Sequence, residues 1–319
     1  MDRGAEMAWF KRFFGWIFRK RRTARHLLPA HSMAEKTAIV TGATSGIGLE
    51  TVRALAASGM QVVLAVRNTD AGARVRHALT TALELPSHQL EVQHLDLSDL
   101  ESVRVFAQKW GDRPLHLLVN NAGVMGIPES YSPQGFELQL ATNHLGHFEL
   151  TRALLPALVA GAPSRILVLS SSEHKRGNPD RLRAKLQKNP FTYERYQSYT
   201  DSKLANLLFT KALAQRLPPQ VEVFGVHPGI VATPIARGIH PIVGRWYARV
   251  GGLLAKSPAE GAVTSIYAAF SSDIAGQSGA YLADAAIATP CAHVQNTDLA
   301  EEIWTLSERA VGGRWADEA

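Results

Sequence analysis

The chain has 319 residues, of which 46% are hydrophobic and 19% charged, and a formal net charge of +6. That length suits one large α/β domain able to bury a full core, and the composition excludes a collagen-like, low-complexity or repeat protein. The single cysteine, Cys291, excludes an internal disulfide and a cysteine-based zinc site, and is expected to be a buried, inert thiol; no metal is expected.

The excess charge is confined to the amino-terminal tail, residues 1–34, where Arg3, Lys11, Arg12, Arg19, Lys20, Arg21, Arg22 and Arg25 face only Asp2 and Glu6. The rest of the chain is balanced, which argues against a nucleic-acid-binding surface. Trp9, Phe10, Phe13, Phe14 and Ile17 recur at helical spacing. The run is too short and too interrupted by charge to span a bilayer. Residues 7–22 are therefore expected to lie in a membrane interface, rings at headgroup level and arginines on anionic lipid. The cytosolic face of the endoplasmic reticulum or of a lipid droplet is the expected location. A mitochondrial presequence is the main alternative, because the stretch is arginine-rich and lacks acids from Met7 to Ala34; a basic tail without such a role is another.

From residue 35 to 319 one domain is expected. Strands are predicted at Thr37–Thr41, Gln61–Val66, Leu90–His94, Leu115–Val119, Arg165–Leu169 and Val221–Val226, each mostly apolar, as strands covered on both faces are. Helical patterns lie between them near 46–58, 69–84, 99–110, 135–159 and 197–216. Alternation of this kind implies right-handed crossovers and a doubly wound parallel sheet of the Rossmann type.

Directly after the first strand comes Thr41-Gly42-Ala43-Thr44-Ser45-Gly46-Ile47-Gly48, opening a helix. Glycines permit a tight turn and close backbone approach, and the helix amino terminus favours a pyrophosphate, so Gly42, Thr44, Ser45, Gly46, Ile47 and Gly48 are candidate cofactor contacts. NAD-binding versions of this fold carry an acidic residue at the end of the second strand. Arg67 stands there instead, where a guanidinium can pair with a 2′-phosphate. NADP(H) is therefore expected in preference to NAD(H). Asp70 belongs at the start of the next helix.

Tyr199 and Lys203, in Tyr199-Thr-Asp-Ser-Lys203, project from one face of a helix. A free tyrosine is a poor acid at neutral pH, and a neighbouring ammonium favours its phenolate, which makes proton exchange with an alcohol or carbonyl feasible. Ser171, in Leu169-Ser-Ser-Ser172, ends the fifth strand, where a parallel sheet presents its ligand site and a hydroxyl can donate to a substrate oxygen.

With the glycine loop, Asn120-Asn-Ala-Gly123, Ser171, Tyr199, Lys203 and Pro228-Gly-Ile-Val-Ala-Thr233 in order, residues 36 to about 311 resemble the short-chain dehydrogenase/reductase family. The resemblance is strongest to the branch of retinol dehydrogenases, the WW-domain oxidoreductase and the X-linked dehydrogenase/reductase. It rests there on Thr142-Asn-His-Leu-Gly-His-Phe148, His227-Pro-Gly229 and Ile303-Trp-Thr-Leu-Ser-Glu308. The resemblance implies that Tyr199 is the general acid/base, that Lys203 binds the nicotinamide ribose and lowers the tyrosine pKa, and that Ser171 orients the reacting oxygen, with Ser170 and Ser172 as register alternatives. It implies that Asn143 holds a water linking Lys203 to solvent, and that Asp96 and Leu97 border the adenine. It places Asn120 to Gly123, including Ala122, at the adjoining ribose and Ile230 to Thr233, including Val231, at the nicotinamide, with Pro228 and Gly229 also among the cofactor contacts. Relatives often pair through helices including the one carrying Tyr199, so a homodimer is an open expectation.

Between residues 234 and 257, Ile239, Ile242, Val243, Trp246, Tyr247, Val250, Leu253 and Leu254 follow helical spacing, interspersed with Arg237, Arg245, Arg249 and Lys256. Two readings stand: an apolar lid over a lipophilic substrate, or a helix packed on its own core. The expected function is oxidoreduction of an alcohol or carbonyl on a retinoid, steroid, isoprenoid or fatty aldehyde. A non-catalytic dinucleotide-binding sensor or scaffold is the alternative.

Overall fold

A computed structural model describes residues 27–29, 33–232, 235, 255–313 and 315. The tail over residues 7–22, Thr233 and nearly all of the expected lid lie outside the described residues. The chain begins as expected, with β1 (Thr37–Thr41), α1 (Gly46–Ala57), β2 (Gln61–Val66), α2 (Thr69–Ala82), β3 (Leu90–His94) and α3 (Leu100–Trp110) in alternation. Asp70 does lie in the first turn of α2, which Asn68 caps by accepting from the Ala71 N–H. β4 (Leu117–Asn120) starts at Leu117 and not at Leu115.

The expected helix over 135–159 is broken. It comprises α4 (Leu138–Leu140), a π-helical turn (Ala141–Leu145), α5 (Gly146–Ala153) and α6 (Leu155–Ala160). Pro156 explains the second break: it has no N–H to give and its ring crowds the preceding turn, so α5 ends before it. The first break sets α5 directly on the segment after β3, where a Cβ on Gly146 would stand 2.2 Å from the Leu97 carbonyl oxygen.

Beyond α6 come β5 (Ser164–Leu169), a 3-10 turn (Ser172–Arg176), α7 (Pro179–Leu186), α8 (Arg195–Leu213) and β6 (Val221–His227). The remainder supplies α9 (Pro258–Phe270), the hairpin of β7 (Tyr281–Ala283) and β8 (Ala286–Ala288), α10 (Ala292–Gln295) and α11 (Thr297–Val311).

The eight strands run in the order β3-β2-β1-β4-β5-β6-β7-β8, all parallel except β8. Alternate side chains enter two different cores: Ile39, Ile166 and Val223 pack with α3, α5, α8 and α11, while Val40, Leu167 and Phe224 pack with α1, α2 and α9. Both faces are thus dry, which is why the strands read as nearly continuous apolar runs. The strand order reverses between β1 and β4, and the crevice outside their carboxyl ends is where such sheets receive ligands. Leu27 and Leu28, at the root of the tail, pack against Ala54 of α1 and Ala262 and Ile266 of α9.

Candidate active site

The glycine loop lies at this switch point and is packed against its neighbours. Gly42 has φ +66°, and a Cβ there would meet the Ala122 Cα at 2.9 Å. A Cβ on Gly48 would stand 2.5 Å from the Gly42 carbonyl oxygen, so neither position admits a larger residue without displacement. Ser45 makes no side-chain cap to α1, and the first turn carries no acidic residue. The free N–H groups of that turn, with the positive end of the helix dipole, suit an anion such as a pyrophosphate. Thr44, Gly46 and Ile47 complete the loop.

Arg67 follows β2 directly and is exposed, with no hydrogen bond or ion pair among the described residues. Two residues before it, Ala65 accepts the Gly42 N–H at 3.1 Å, so Arg67 follows the strand that borders the glycine loop. Asp96 closes a turn after β3 by accepting from the N–H and hydroxyl of Ser98 at 2.9 and 2.6 Å. Leu97 is buried beneath α5.

Thr41 joins the loop to β4. Its Oγ1 accepts the Asn121 and Ala122 N–H groups, both at 2.9 Å, and lies 2.9 Å from His147 Nε2. The other ring nitrogen of His147 faces the Asn143 carbonyl at 3.1 Å, which only accepts. Nδ1 therefore carries the proton, and Thr41 donates to Nε2. Burial pushes the His147 pKa down to about 3, so the ring is neutral. Asn120 is buried and donates to Thr151 at 2.9 Å.

On the other side of the crevice, α8 presents Tyr199 and Lys203, both buried. The Lys203 ammonium lies 5.6 Å from the Tyr199 ring centroid and donates to the Leu169 carbonyl at 3.0 Å. A Cβ on Gly123 would stand 3.6 Å from Lys203 Nζ, which places the loop after β4 against the lysine. Burial lowers the lysine pKa to about 8, so it is still charged at neutral pH. Asp201, between them in sequence, faces away from the crevice and anchors α7. It accepts from Arg181 at 2.8 and 3.0 Å, Lys185 at 2.9 Å and the Asn178 N–H at 2.9 Å.

The three serines after β5 part company. Ser170 donates to the Lys203 carbonyl at 2.8 Å and is committed to α8. Ser171 caps the 3-10 turn by accepting from the Glu173 N–H at 3.2 Å, and its own proton is engaged by nothing among the described residues. Ser171 thus has a proton to give, and the Ser172 hydroxyl is likewise engaged by nothing among the described residues. Asn143 sits in the π-helical turn, a distortion that recurs at functional sites. Its side chain donates to the Val124 carbonyl and the Ser202 hydroxyl, both at 2.9 Å, and accepts the Val124 N–H at 2.8 Å. Its amide is thereby committed to protein partners, and its backbone carbonyl accepts from His147 Nδ1 at 3.1 Å. Pro228, Gly229 and Val231 follow β6 and face the same crevice end.

One expectation is corrected. Cys291 is half-buried, not buried, with its Sγ 3.9 Å from the His174 carbonyl. α8 is buried within the fold from Ser198 to Leu213 except at Lys211. Trp304 of α11 stacks on Phe209 at 5.9 Å, and His144 meets Ser307 at 2.8 Å. Asn121, Ser202 and the bridging His147 were each quoted inside a motif without a role of their own, and that of His147 depends on Thr41 meeting it across the sheet.

Comparison with known proteins agrees with this geometry. The short chain dehydrogenase family model matches residues 36–182. Retinol dehydrogenase 11 of Mus musculus is 41% identical over 278 residues, covering 85% of each chain. The crystal structure of an uncharacterized Mycobacterium paratuberculosis protein superposes with a TM-score of 0.73 at 31% identity, covering 92% of this chain and 98% of that one. The RhlG/NADP active-site complex of Pseudomonas aeruginosa superposes with a TM-score of 0.61 at 25% identity, covering 79% of this chain and 95% of that one. This is an alcohol/carbonyl oxidoreductase with a nicotinamide dinucleotide cofactor, and the chain belongs to the short-chain dehydrogenase/reductase family, on its retinol dehydrogenase branch.

Proposed function

We propose that the protein interconverts an alcohol and a carbonyl on a lipophilic substrate, using NADP(H), with Tyr199 as general acid/base. The observation that carries the reading is that Ser171, with an uncommitted hydroxyl proton, follows the carboxyl end of β5, to which Lys203, beside Tyr199, is tied through the Leu169 carbonyl. In reduction, Ser171 donates a hydrogen bond to the substrate oxygen and Tyr199 transfers its proton there. Lys203 stabilises the negative charge left on the tyrosine oxygen, and Asn143 holds Val124 and Ser202 around it. Oxidation runs the same path in reverse. A bound nicotinamide would supply the hydride in one direction and accept it in the other.

The amino end of α1 would hold the pyrophosphate, and the glycine cradle, too tight for any Cβ, fits that group. The unpaired Arg67 would take the 2′-phosphate. Asp96 and Leu97 would border the adenine, and Asn120, Ala122 and Gly123 the ribose. The retinol dehydrogenase relatives favour a retinoid or another lipophilic carbonyl, presented by a membrane that the tail touches through residues 7–22. Among the described residues no helix is long and apolar enough to cross a membrane.

Steady-state reduction of all-trans-retinal in detergent micelles tests the reading, with NADPH and NADH compared for wild type, Tyr199→Phe and Arg67→Gln. Turnover with NADPH should fall by at least about a hundredfold in Tyr199→Phe, with cofactor binding retained. Arg67→Gln should weaken NADPH about tenfold or more and leave NADH unchanged. Equal turnover by Tyr199→Phe would overturn the acid/base role.

A further inference from the structure

The serine loop is held by two histidines that the proposed chemistry does not use. His174 Nδ1 lies 2.6 Å from the Ser171 carbonyl oxygen, and its Nε2 accepts the Cys291 N–H at 3.1 Å. A carbonyl can only accept, so His174 carries its proton on Nδ1. His227, at the end of β6, does the reverse. Its Nδ1 accepts the Ser172 N–H at 3.2 Å and, less closely, the Gly229 N–H at 3.4 Å. Two donors on one ring nitrogen require a lone pair there, so the proton of His227 is on Nε2.

The Ser171 carbonyl and the Ser172 N–H belong to a single peptide unit. One histidine donates to one end of that unit and the other accepts from the opposite end. β5 and β6 stop pairing just before it: Leu169 is in register with Val226, and the Ser170 N–H reaches the Val226 carbonyl at 2.8 Å. The His227 ring takes the next available donor on that side, beyond the reach of the strand ladder. Tyr281 of β7 packs against both rings, edge-on to His174 at 5.1 Å and parallel to His227 at 6.5 Å.

We propose that His174 and His227 are positioning residues that clamp, in opposite tautomers, the peptide unit joining Ser171 to Ser172, and so fix the direction of the Ser171 hydroxyl. The inference rests on the catalytic reading for its consequence, not for its geometry. Through Gly229 the same His227 nitrogen ties the serine loop to the segment proposed to meet the nicotinamide.

Both rings must stay neutral for the clamp to close. Protonation of His227 would replace the lone pair with a third N–H facing two others, and protonation of His174 would set an N–H against that of Cys291. Burial lowers both pKa values, that of His227 to about 4. The charged groups around His227 are Asp284, which favours its cation, and Lys256, Lys175 and His174, which oppose it. Around His174, Lys175 opposes the cation and Glu173 favours it. Lys256 and Asp284 pair with one another at 2.6 Å.

The test uses Nδ1-specific and Nε2-specific mimics on the whole chain. The side-chain oxygen of His227→Asn occupies the place of Nδ1, whereas that of His227→Gln reaches the place of Nε2. Imidazole nitrogen shifts should show the Nδ1–H tautomer for His174 and the Nε2–H tautomer for His227 at pH 7. Amide exchange at Ser172 should remain slow in His227→Asn and quicken at least about tenfold in His227→Gln, since protection follows the local bond. The kcat for retinal should follow the same order, near wild type in His227→Asn and on the order of a hundredfold lower in His227→Gln. Like tautomers in the two rings, or equal Ser172 protection in both variants, would overturn the clamp. A protein with the expected exchange pattern but no turnover would keep the clamp and remove the catalytic reading instead.

Discussion

The two halves of the cofactor crevice are built by different means. The half proposed for the adenine nucleotide, from Gly42 to Gly48 with Arg67 after β2, is shaped by main chain: two glycines whose missing Cβ atoms leave room for backbone, and a helix end without a side-chain cap. The half proposed for the nicotinamide is shaped by buried polar side chains, each with its partners: Lys203 on Leu169, Asn143 on Val124 and Ser202, Ser170 on α8, and the paired histidines around Ser171. A surface made of main chain tolerates changes around it and fails when a side chain is added. A surface made of buried polar groups fails when one is removed, because its partners are left without hydrogen bonds in a dry interior.

Removing Asp201 should be the most damaging test of this contrast. Asp201→Ala leaves Lys185 buried without its counter-charge and frees α7 from α8. Loss of a buried partner of this kind costs about 3–5 kcal/mol, and a urea melt should show it as a lowered midpoint. A loss below about 1 kcal/mol, the size of an exposed pair, would mean that Asp201 is not structural cement for the catalytic helix.

Adding a single methyl group tests the other half. Gly48→Ala places a Cβ against the Gly42 carbonyl and should cost about 1–3 kcal/mol, the range of an overpacked interior. NADPH titration calorimetry should show that cost as weaker binding, while amide exchange around Ser172 stays as in the wild type. If the Ser172 region changed as much as the loop, the two halves would be a single unit.

The smallest effect expected is a pH limb. Burial depresses the Lys203 pKa, so its ammonium is lost as pH rises through about 8 and not above 10. The kcat/KM for reduction should therefore fall above pH 8 in the free enzyme. In stability the sign is opposite: the contribution is complete above the unfolded pKa of 10.5 and lost as pH falls through about 8, so the buried charge destabilises at neutral pH. A flat profile to pH 9.5 would mean that the lysine charge is not needed for the chemistry.

Most of the first two-thirds of the fold was legible because its strands are dry on both faces. The apolar runs at Thr37–Thr41 and Gln61–Val66 match the strands found, while the edge strand Leu90–His94 matches although only Leu90 of it is fully buried. The hairpin of β7 and β8 gave no such signal. Its strands have three residues each, and its turn places Asp284 and Ala285 at φ 51° and 54° without a glycine to mark it. Tyr199, Lys203 and Ser171 were legible as a motif with a spacing. The histidine clamp was not, since it joins Ser172 to a residue 55 positions away, and pairing of β5 with β6 creates it. The π-helical turn at Asn143 was hidden for a related reason: hydrophobic periodicity over 135–159 does not register a single widened turn.

α11 closes over α8 from the far end of the chain, with Trp304 on Phe209 and Ser307 on His144. A ribosome produces the helix bearing Tyr199 and Lys203 long before it produces the segment that shelters it. Throughout that interval the flank around Phe209 is an apolar surface in water, open to chaperones and to wrong partners. The nucleotide half waits for α9, which packs on α1, and α8 gains its last wall only when Thr297–Val311 emerges. A transcript ending before that point would yield a chain in which the flank of α8 around Phe209 and the buried His144 stay uncovered.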